Sequence, residues 1–149
     1  MANVHDVAAY VLERLGERTP GEAVPVMKLQ KLVYYSQAWS LVWDDRPLFP
    51  ERIEAWANGP VVPDLYRLHR GEYSVTSWRS GDPARLSTDE RETVDAILKA
   101  YGGKTSWELS AMTHSEAPWR DARAGLAPGE RGTTEITPAA MAEYYGGLP

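Results

Sequence analysis

The segment VMKLQKLVYYSQAWSLVW, residues 26–43, decides the fold of this chain. Its apolar residues recur at three- and four-residue steps, which predicts one long α-helix. The apolar stripe consists of Leu29, Leu32, Val33, Ser36, Trp39 and Trp43, widened by Tyr35, Ala38 and Val42. A helix that is apolar around most of its circumference is usually covered on several sides. We therefore predict that this helix is the centre of the fold, with Lys28, Lys31 and Gln37 as its solvent-facing residues.

Start and stop signals predict further helices on both sides of the central one. The first helix follows Asn3, a good N-cap, carries an apolar stripe from Val4 to Leu15 and should stop at Gly16. Capping-box pairs or first-turn prolines predict the other starts, at Pro63, Ser87, Thr105, Pro118 and Thr137-Pro138. The stretch from Gly125 to Thr134 is rich in glycine, proline and charge, which predicts a mobile loop.

A small amount of β-structure is predicted between the second and third helices. Residues 53–56 alternate apolar and polar side chains, Asn58-Gly59-Pro60 is a turn signal, and residues 72–78 could pair as a second short strand. No internal repeat or long linker divides the chain. We predict a mainly α fold: a compact single-domain helical bundle over residues 1–149, with at most a small two- or three-stranded β-ribbon.

Composition excludes several classes of function. The chain of 149 residues has a net charge of −5, which disfavours nucleic acid as its main ligand. It contains no cysteine, so disulfides and thiolate chemistry are excluded. No apolar run approaches the ~20 residues that span a bilayer, and no signal peptide is evident. We expect a cytoplasmic protein without membrane contact.

The residues that could carry catalysis are few. His114 and Glu116 could form an acid–base pair, although a histidine that caps a helix end is commoner. No nucleophile motif or phosphate loop accompanies them. The three histidines, His5, His69 and His114, lie far apart in sequence. We therefore expect no catalytic site, no metal and no cofactor.

Two segments are candidates for contact with a partner. Arg67 and Arg70 belong to a modest basic cluster, which is either a solvated helix face or a docking patch for an acidic segment. The turn at Asn58-Gly59 is either only a tight turn, or it exposes backbone groups and Trp56 to a bound peptide. The residues alone leave both alternatives open.

Three short segments, taken together, resemble a known family. They are KLQKL at 28–32, WANGPV at 56–61 and THSEAPW at 113–119. In this order they resemble the SocA-like Panacea domain, a family of bacterial and phage antitoxins and phage-associated proteins. The resemblance extends over nearly the whole chain. It departs at Ser115 and Ala117, where relatives often carry an acidic residue and a glycine, so only the geometry of that loop is affected.

The resemblance implies an antitoxin that neutralises a cognate toxin, encoded by an adjacent gene, through direct binding and without enzyme activity. The partner-binding residues that we predict are Trp56, Asn58, Gly59, Tyr66, Arg67, Arg70, His114 and Glu116. One alternative is an adaptor that delivers the toxin to a protease. Another is an enzyme that reverses the toxin's modification through His114 and Glu116, and a DNA-binding autorepressor is a poorer third. The toxin, its target and the oligomeric state stay open.

Overall fold

A computed structural model describes all residues from 1 to 149. The helices are α1 Val4–Arg18, α2 Val26–Trp43, α3 Pro63–His69, α4 Thr88–Tyr101, α5 Ser106–His114, α6 Ala117–Ala122 and α7 Pro138–Gly146, with a 3-10 turn at Pro83–Arg85. The strands are β1 Val24–Pro25, β2 Ile53–Trp56, β3 Gly59–Val61, β4 Ser74–Val75 and β5 Glu135–Ile136. The predicted mainly α fold with a small β component is confirmed. None of these helices is both long and apolar enough to cross a membrane.

Helix α2 is the centre of the molecule, as its sequence predicts. It contacts α1, α4, α5 and α7 as well as strand β3. Its apolar residues Leu29, Leu32 and Val33 are completely buried, and the rings of Tyr34 and Tyr35 are almost so. Burial of large aromatic and aliphatic side chains is the main favourable term in folding, so this helix organises the core.

The prediction that Lys31 and Gln37 face solvent is wrong. Lys31 is 0% exposed and Gln37 is 3% exposed, while Lys28 is half-buried. The Gln37 amide donates to the carbonyl of Phe49 at 2.9 Å and accepts from the N–H of Leu48 at 2.7 Å. Lys31 and Gln37 are buried because other elements pack against α2 on several sides.

Two small sheets flank the helices. Strands β2 and β3 form an antiparallel hairpin in which Trp56 pairs with Gly59 across Ala57 and Asn58. Strand β5 pairs with the other side of β2, which gives the order β3-β2-β5. The second predicted strand exists at Ser74–Val75, but it pairs with Val24–Pro25 and not with the hairpin. That pairing joins segments about fifty residues apart, which local sequence patterns do not reveal.

The predicted helix caps form as expected, with one exception. Asn3 caps α1 in a capping box with Asp6, and capping boxes also begin α4 and α5. Thr137 caps α7. Gly16 does not end α1, since the helix continues to Arg18. A single glycine inside a helix weakens it by only about 1 kcal/mol, which the packing of α1 in the core offsets.

Candidate functional site

The three segments that carry the family resemblance meet around the β2–β3 hairpin. From α2, the Gln30 amide accepts from the N–H of Val62 at 2.9 Å and donates to the Val62 carbonyl at 3.3 Å. From α5, the Ser110 hydroxyl donates to the Asn58 carbonyl at 3.3 Å. From α6, the Trp119 indole N–H donates to the Trp56 carbonyl at 2.8 Å. The hairpin is therefore held from three sides by side chains of separate helices.

Gly59 is the point of closest contact between the hairpin and the helices. Its φ of 122° lies in the left-handed region. A Cβ atom at this position would lie 2.7 Å from Cε of Lys31 and 3.2 Å from the hydroxyl oxygen of Thr113. Gly59 is buried. It therefore shapes the hairpin from inside the molecule instead of offering a surface to a partner.

The outer edge of β3 is not available for pairing with a peptide strand. Strand β3 contacts α2 and α5, and its central residue Pro60 has no N–H to donate. Recognition by strand addition needs an exposed edge with free backbone groups. The interpretation that this turn offers an open strand edge to a bound peptide is therefore wrong.

His114 is part of an aromatic stack. Its ring lies on the Trp119 indole with centroids 4.0 Å apart and planes within 9° of parallel. Burial lowers the pKa of His114, the Asn58 backbone opposes that change, and the nearby Lys31 adds to it. The guanidinium of Arg123 lies 5.2 Å from the centroid of the same Trp119 ring. The histidine thus helps to fix the hairpin against α6.

Glu116 forms its hydrogen bonds with two tyrosines and not with His114. Its carboxylate accepts hydrogen bonds from the hydroxyls of Tyr35 at 2.7 Å and Tyr145 at 2.9 Å. Burial raises the pKa of Glu116, and the two hydroxyls partly oppose that rise. No hydrogen bond joins Glu116 to His114, so the hypothesis of an acid–base pair is not supported by the geometry. The carboxylate instead ties the start of α6 to α2 and α7.

A cleft of about 510 Å³ opens beside the hairpin. Residues before position 70 line one part of it: Met27, Trp56, Asn58, Val61 and Tyr66. A later loop supplies Gly129, Arg131, Gly132 and Thr133. The rings of Trp56 and Tyr66 meet edge to face with centroids 4.9 Å apart. The Trp56 indole N–H donates to Glu54 at 2.9 Å, which fixes the orientation of the ring.

One wall of the cleft is the loop 127–134, and buried Arg123 holds this loop in place. The Arg123 guanidinium donates to the carbonyls of Ala55 at 3.1 Å, Glu130 at 2.5 Å and Ala127 at 3.4 Å. A Cβ atom at Gly132 would lie 3.0 Å from a guanidinium nitrogen of Arg123. A glycine at 132 therefore allows the loop to approach Arg123 closely.

The structure brings together only part of the predicted site. Trp56, Asn58 and Tyr66 line one cleft, and Gly59 and His114 support the hairpin from within, whereas Glu116 ties α6 to α2 and α7. Arg67 and Arg70 are exposed at the end of α3, where Arg67 forms an ion pair with Asp64, and neither lines the cleft.

Sequence reasoning missed Met27, Arg123 and Arg131 as contributors to this region. Two glycines at 129 and 132 flank Arg131, and Gly129 has a φ of 80°. Two glycines so close together predict a loop whose backbone adopts conformations that other residues avoid. No group of three or more His, Asp or Glu side chains is placed to hold a metal ion.

Comparisons with known proteins identify the family. Residues 29–120 match the family described as Antitoxin SocA-like, Panacea domain. The chain is 31% identical over 107 residues to Antitoxin SocA of Caulobacter vibrioides (strain NA1000 / CB15N), an alignment that covers 62% of this chain and 56% of that relative. The chain thus spans just over half the length of this curated relative. No solved structure matches it. Because the family match covers more than half of the chain, this protein belongs to the antitoxin SocA-like, Panacea domain family.

Proposed function

We propose that this protein is the antitoxin of a bacterial or phage toxin–antitoxin system, and that it neutralises a toxin encoded by an adjacent gene through direct binding. The observation that carries this proposal is the family match over residues 29–120. The similarity to a protein named as an antitoxin supports it. Neutralisation by binding requires a stable interface, typically about 1,600 Å² of total buried surface.

The cleft beside the hairpin is the surface that we propose for the toxin. Binding energy at protein interfaces concentrates in a few Trp, Tyr and Arg residues that enter well-packed pockets. Trp56 and Tyr66 are half-buried, held in fixed orientations and still accessible in the cleft. Aromatic side chains of this kind give contact area with little loss of conformational entropy. Arg67 and Arg70, exposed on the neighbouring α3, would lie at the rim of the same interface.

Growth rescue tests the proposed function. The adjacent reading frame is induced alone and then together with this protein, and a complex is sought by co-purification. The expected result is toxicity of the neighbour alone, normal growth with both proteins, and recovery of the two as a complex. A harmless neighbour, or rescue with no physical complex, would argue against direct neutralisation.

The same assay separates occlusion from the two alternative mechanisms. An antitoxin that blocks its toxin still protects cells that lack the relevant protease, whereas an adaptor does not. An enzyme that depends on His114 would lose protection in a His114→Gln variant while the toxin remained bound. We expect protection in the protease-deficient host, and we expect any loss in His114→Gln to accompany weaker binding.

Replacing Trp56 by alanine should weaken toxin binding strongly while the protein stays folded. Removing an anchor from the centre of an interface typically costs 2 kcal/mol or more, which corresponds to about 30-fold in Kd. Titration calorimetry measures the affinity and circular dichroism checks the fold. Trp43→Ala is the matched control, because Trp43 is 50% exposed and lies at the far end of α2.

The paired change Arg67/Arg70→Glu tests whether the exposed end of α3 belongs to the toxin interface. Reversal of two exposed charges should slow association and weaken neutralisation without unfolding the protein. Growth rescue by this variant at the level of the unaltered protein would show that the end of α3 lies outside the interface.

A further inference from the structure

We infer that the cleft binds a segment of the toxin in which an apolar side chain is followed or preceded, within two residues, by an aspartate or glutamate. The inference rests on the proposed antitoxin function and adds the chemistry of the segment that the site recognises. It is carried by three properties of the cleft: its apolar floor, its one free positive charge and its unpaired polar groups.

The floor of the cleft fits an apolar side chain. Met27, Trp56 and Tyr66, together with the buried Val61, line it with thioether, aromatic and aliphatic groups. Clefts of about 300–1,000 Å³ with mostly apolar walls and a few polar groups are typical of sites for small ligands. The volume of about 510 Å³ lies within that range. Methionine adapts its shape to an incoming side chain, which favours recognition of an aliphatic or aromatic anchor.

The charge of the cleft determines which residues of the toxin are favoured beside the apolar side chain. Arg131 is the only charged side chain in the lining, although the whole chain has a net charge of −5. It is exposed and forms no ion pair, whereas Arg52 is paired with Glu54 and Arg67 with Asp64. A planar guanidinium is suited to bidentate binding of a carboxylate. A segment with an acidic residue beside its anchor therefore complements the cleft, and a basic segment does not.

Two polar side chains are placed to bind an extended backbone. The main-chain carbonyl of Asn58 accepts a hydrogen bond from the Ser110 hydroxyl, whereas the side-chain amide of Asn58 makes no hydrogen bond within the protein. The Thr133 hydroxyl is also unpaired. An amide that can both donate and accept, next to a hydroxyl, can bond to the N–H and C=O groups of a bound segment.

The backbone on either side of Arg131 is hydrogen-bonded to the rest of the protein. Buried Arg123 donates to the carbonyl of Glu130, the residue before Arg131, and to that of Ala127. Thr134 accepts from the N–H of Ala55, which ties the other end of the loop to β2. A charge carried on a fixed loop loses less conformational entropy on binding than one on a free loop.

Photo-cross-linking identifies the bound segment directly. The full chain carries p-benzoylphenylalanine at position 66 and is irradiated in complex with the product of the adjacent toxin gene. The control carries p-benzoylphenylalanine at position 43. This position lies sixteen residues after Met27 on α2 and is therefore about 24 Å from Met27 in the cleft. We expect a cross-link from position 66 and not from 43, on a toxin segment with Asp or Glu within two residues of an apolar side chain.

A charge-reversal pair tests the role of Arg131. Arg131→Glu should lower the association rate by about 10-fold and reduce its salt dependence. Arg85→Glu changes the net charge by the same amount at an exposed position outside the cleft and should change the rate less than about 2-fold. Arg131→Lys should retain most of the rate, because the charge remains.

Each outcome bears on one of the two proposals. If the unaltered protein neither binds nor neutralises the toxin, the proposed function fails and this inference fails with it. If it binds and rescues growth, but Arg131→Glu behaves like Arg85→Glu, only this inference is overturned. It is also overturned if position 66 cross-links to a segment without acidic residues, to a second copy of this chain, or not at all while position 43 does.

Discussion

Replacing Lys31 by methionine is expected to raise the free energy of unfolding at pH 7 by about 3–4 kcal/mol. The Lys31 side chain is fully buried, and its amino nitrogen has no hydrogen-bond partner. Burial lowers the pKa of Lys31 to about 7, and no neighbouring carboxylate opposes that change. Lowering the pKa from 10.5 to about 7 costs the folded protein up to about 4 kcal/mol at pH 7, where the buried amine is half protonated, and the substitution removes this cost. Methionine keeps most of the apolar length and removes the charge.

The pH dependence of stability should show the same lysine. Between pH 7 and the ordinary lysine pKa near 10.5, the unfolded chain holds a proton on Lys31 that the folded chain lacks. Stability therefore rises with pH across this window, by up to about 1.4 kcal/mol per pH unit. Below pH 7 the amine is protonated in both states and adds no further change. Above pH 10 the trend reverses, because burial raises the pKa values of Tyr34, Tyr35 and Tyr145.

Urea unfolding at pH 7 and pH 9.5 measures both effects. We expect a clear rise in stability between these pH values for the unaltered protein, and a much smaller rise for Lys31→Met. Lys99→Met is the matched control, because Lys99 is exposed on α4 and should change stability by less than about 0.5 kcal/mol. A Lys31→Met variant that is less stable than the unaltered protein at pH 7 would show that the ammonium is favourably bound in the folded state.

Replacing Gly59 by alanine should destabilise the protein by about 3 kcal/mol. Its φ of 122° is a conformation that residues with a side chain rarely adopt, and such strain is worth about 1–3 kcal/mol. The added methyl would also lie 2.7 Å from Cε of Lys31, in a region with no free space. Overpacking of a buried site adds about 1–3 kcal/mol more.

Thermal and urea unfolding of Gly59→Ala should be compared with Gly16→Ala, the same chemical change in a different setting. Gly16 lies inside α1, and a Cβ there would meet nothing within 4 Å. Alanine in a helix interior is favoured over glycine, so Gly16→Ala should stabilise by about 0.5–1 kcal/mol. Two substitutions of opposite sign would locate the effect at the hairpin. A Gly59→Ala loss below about 1 kcal/mol would mean that Lys31 yields to the methyl and that the turn is not strained.

The helices and the central position of α2 could be predicted from sequence, because these features depend on neighbouring residues. Capping boxes at Ser87 and Thr105 satisfy backbone N–H groups only three residues away, so the sequence contains both partners. The turn at Gly59 follows in the same way from the conformational freedom of glycine. The motif segments likewise indicated the family, although not the roles of their individual residues.

Only the tertiary structure decided which of those residues are inside. The sequence pattern indicates a surface lysine at position 31, but Gly59, nearly thirty residues further along the chain, packs against its side chain, which is fully buried. Glu116 likewise meets Tyr35 and Tyr145 instead of its neighbour His114. Arg131 reaches the cleft because buried Arg123 holds its loop against β2. Local periodicity and capping determined the elements, whereas burial and the cleft arose from contacts between segments far apart in sequence, which no local pattern encodes.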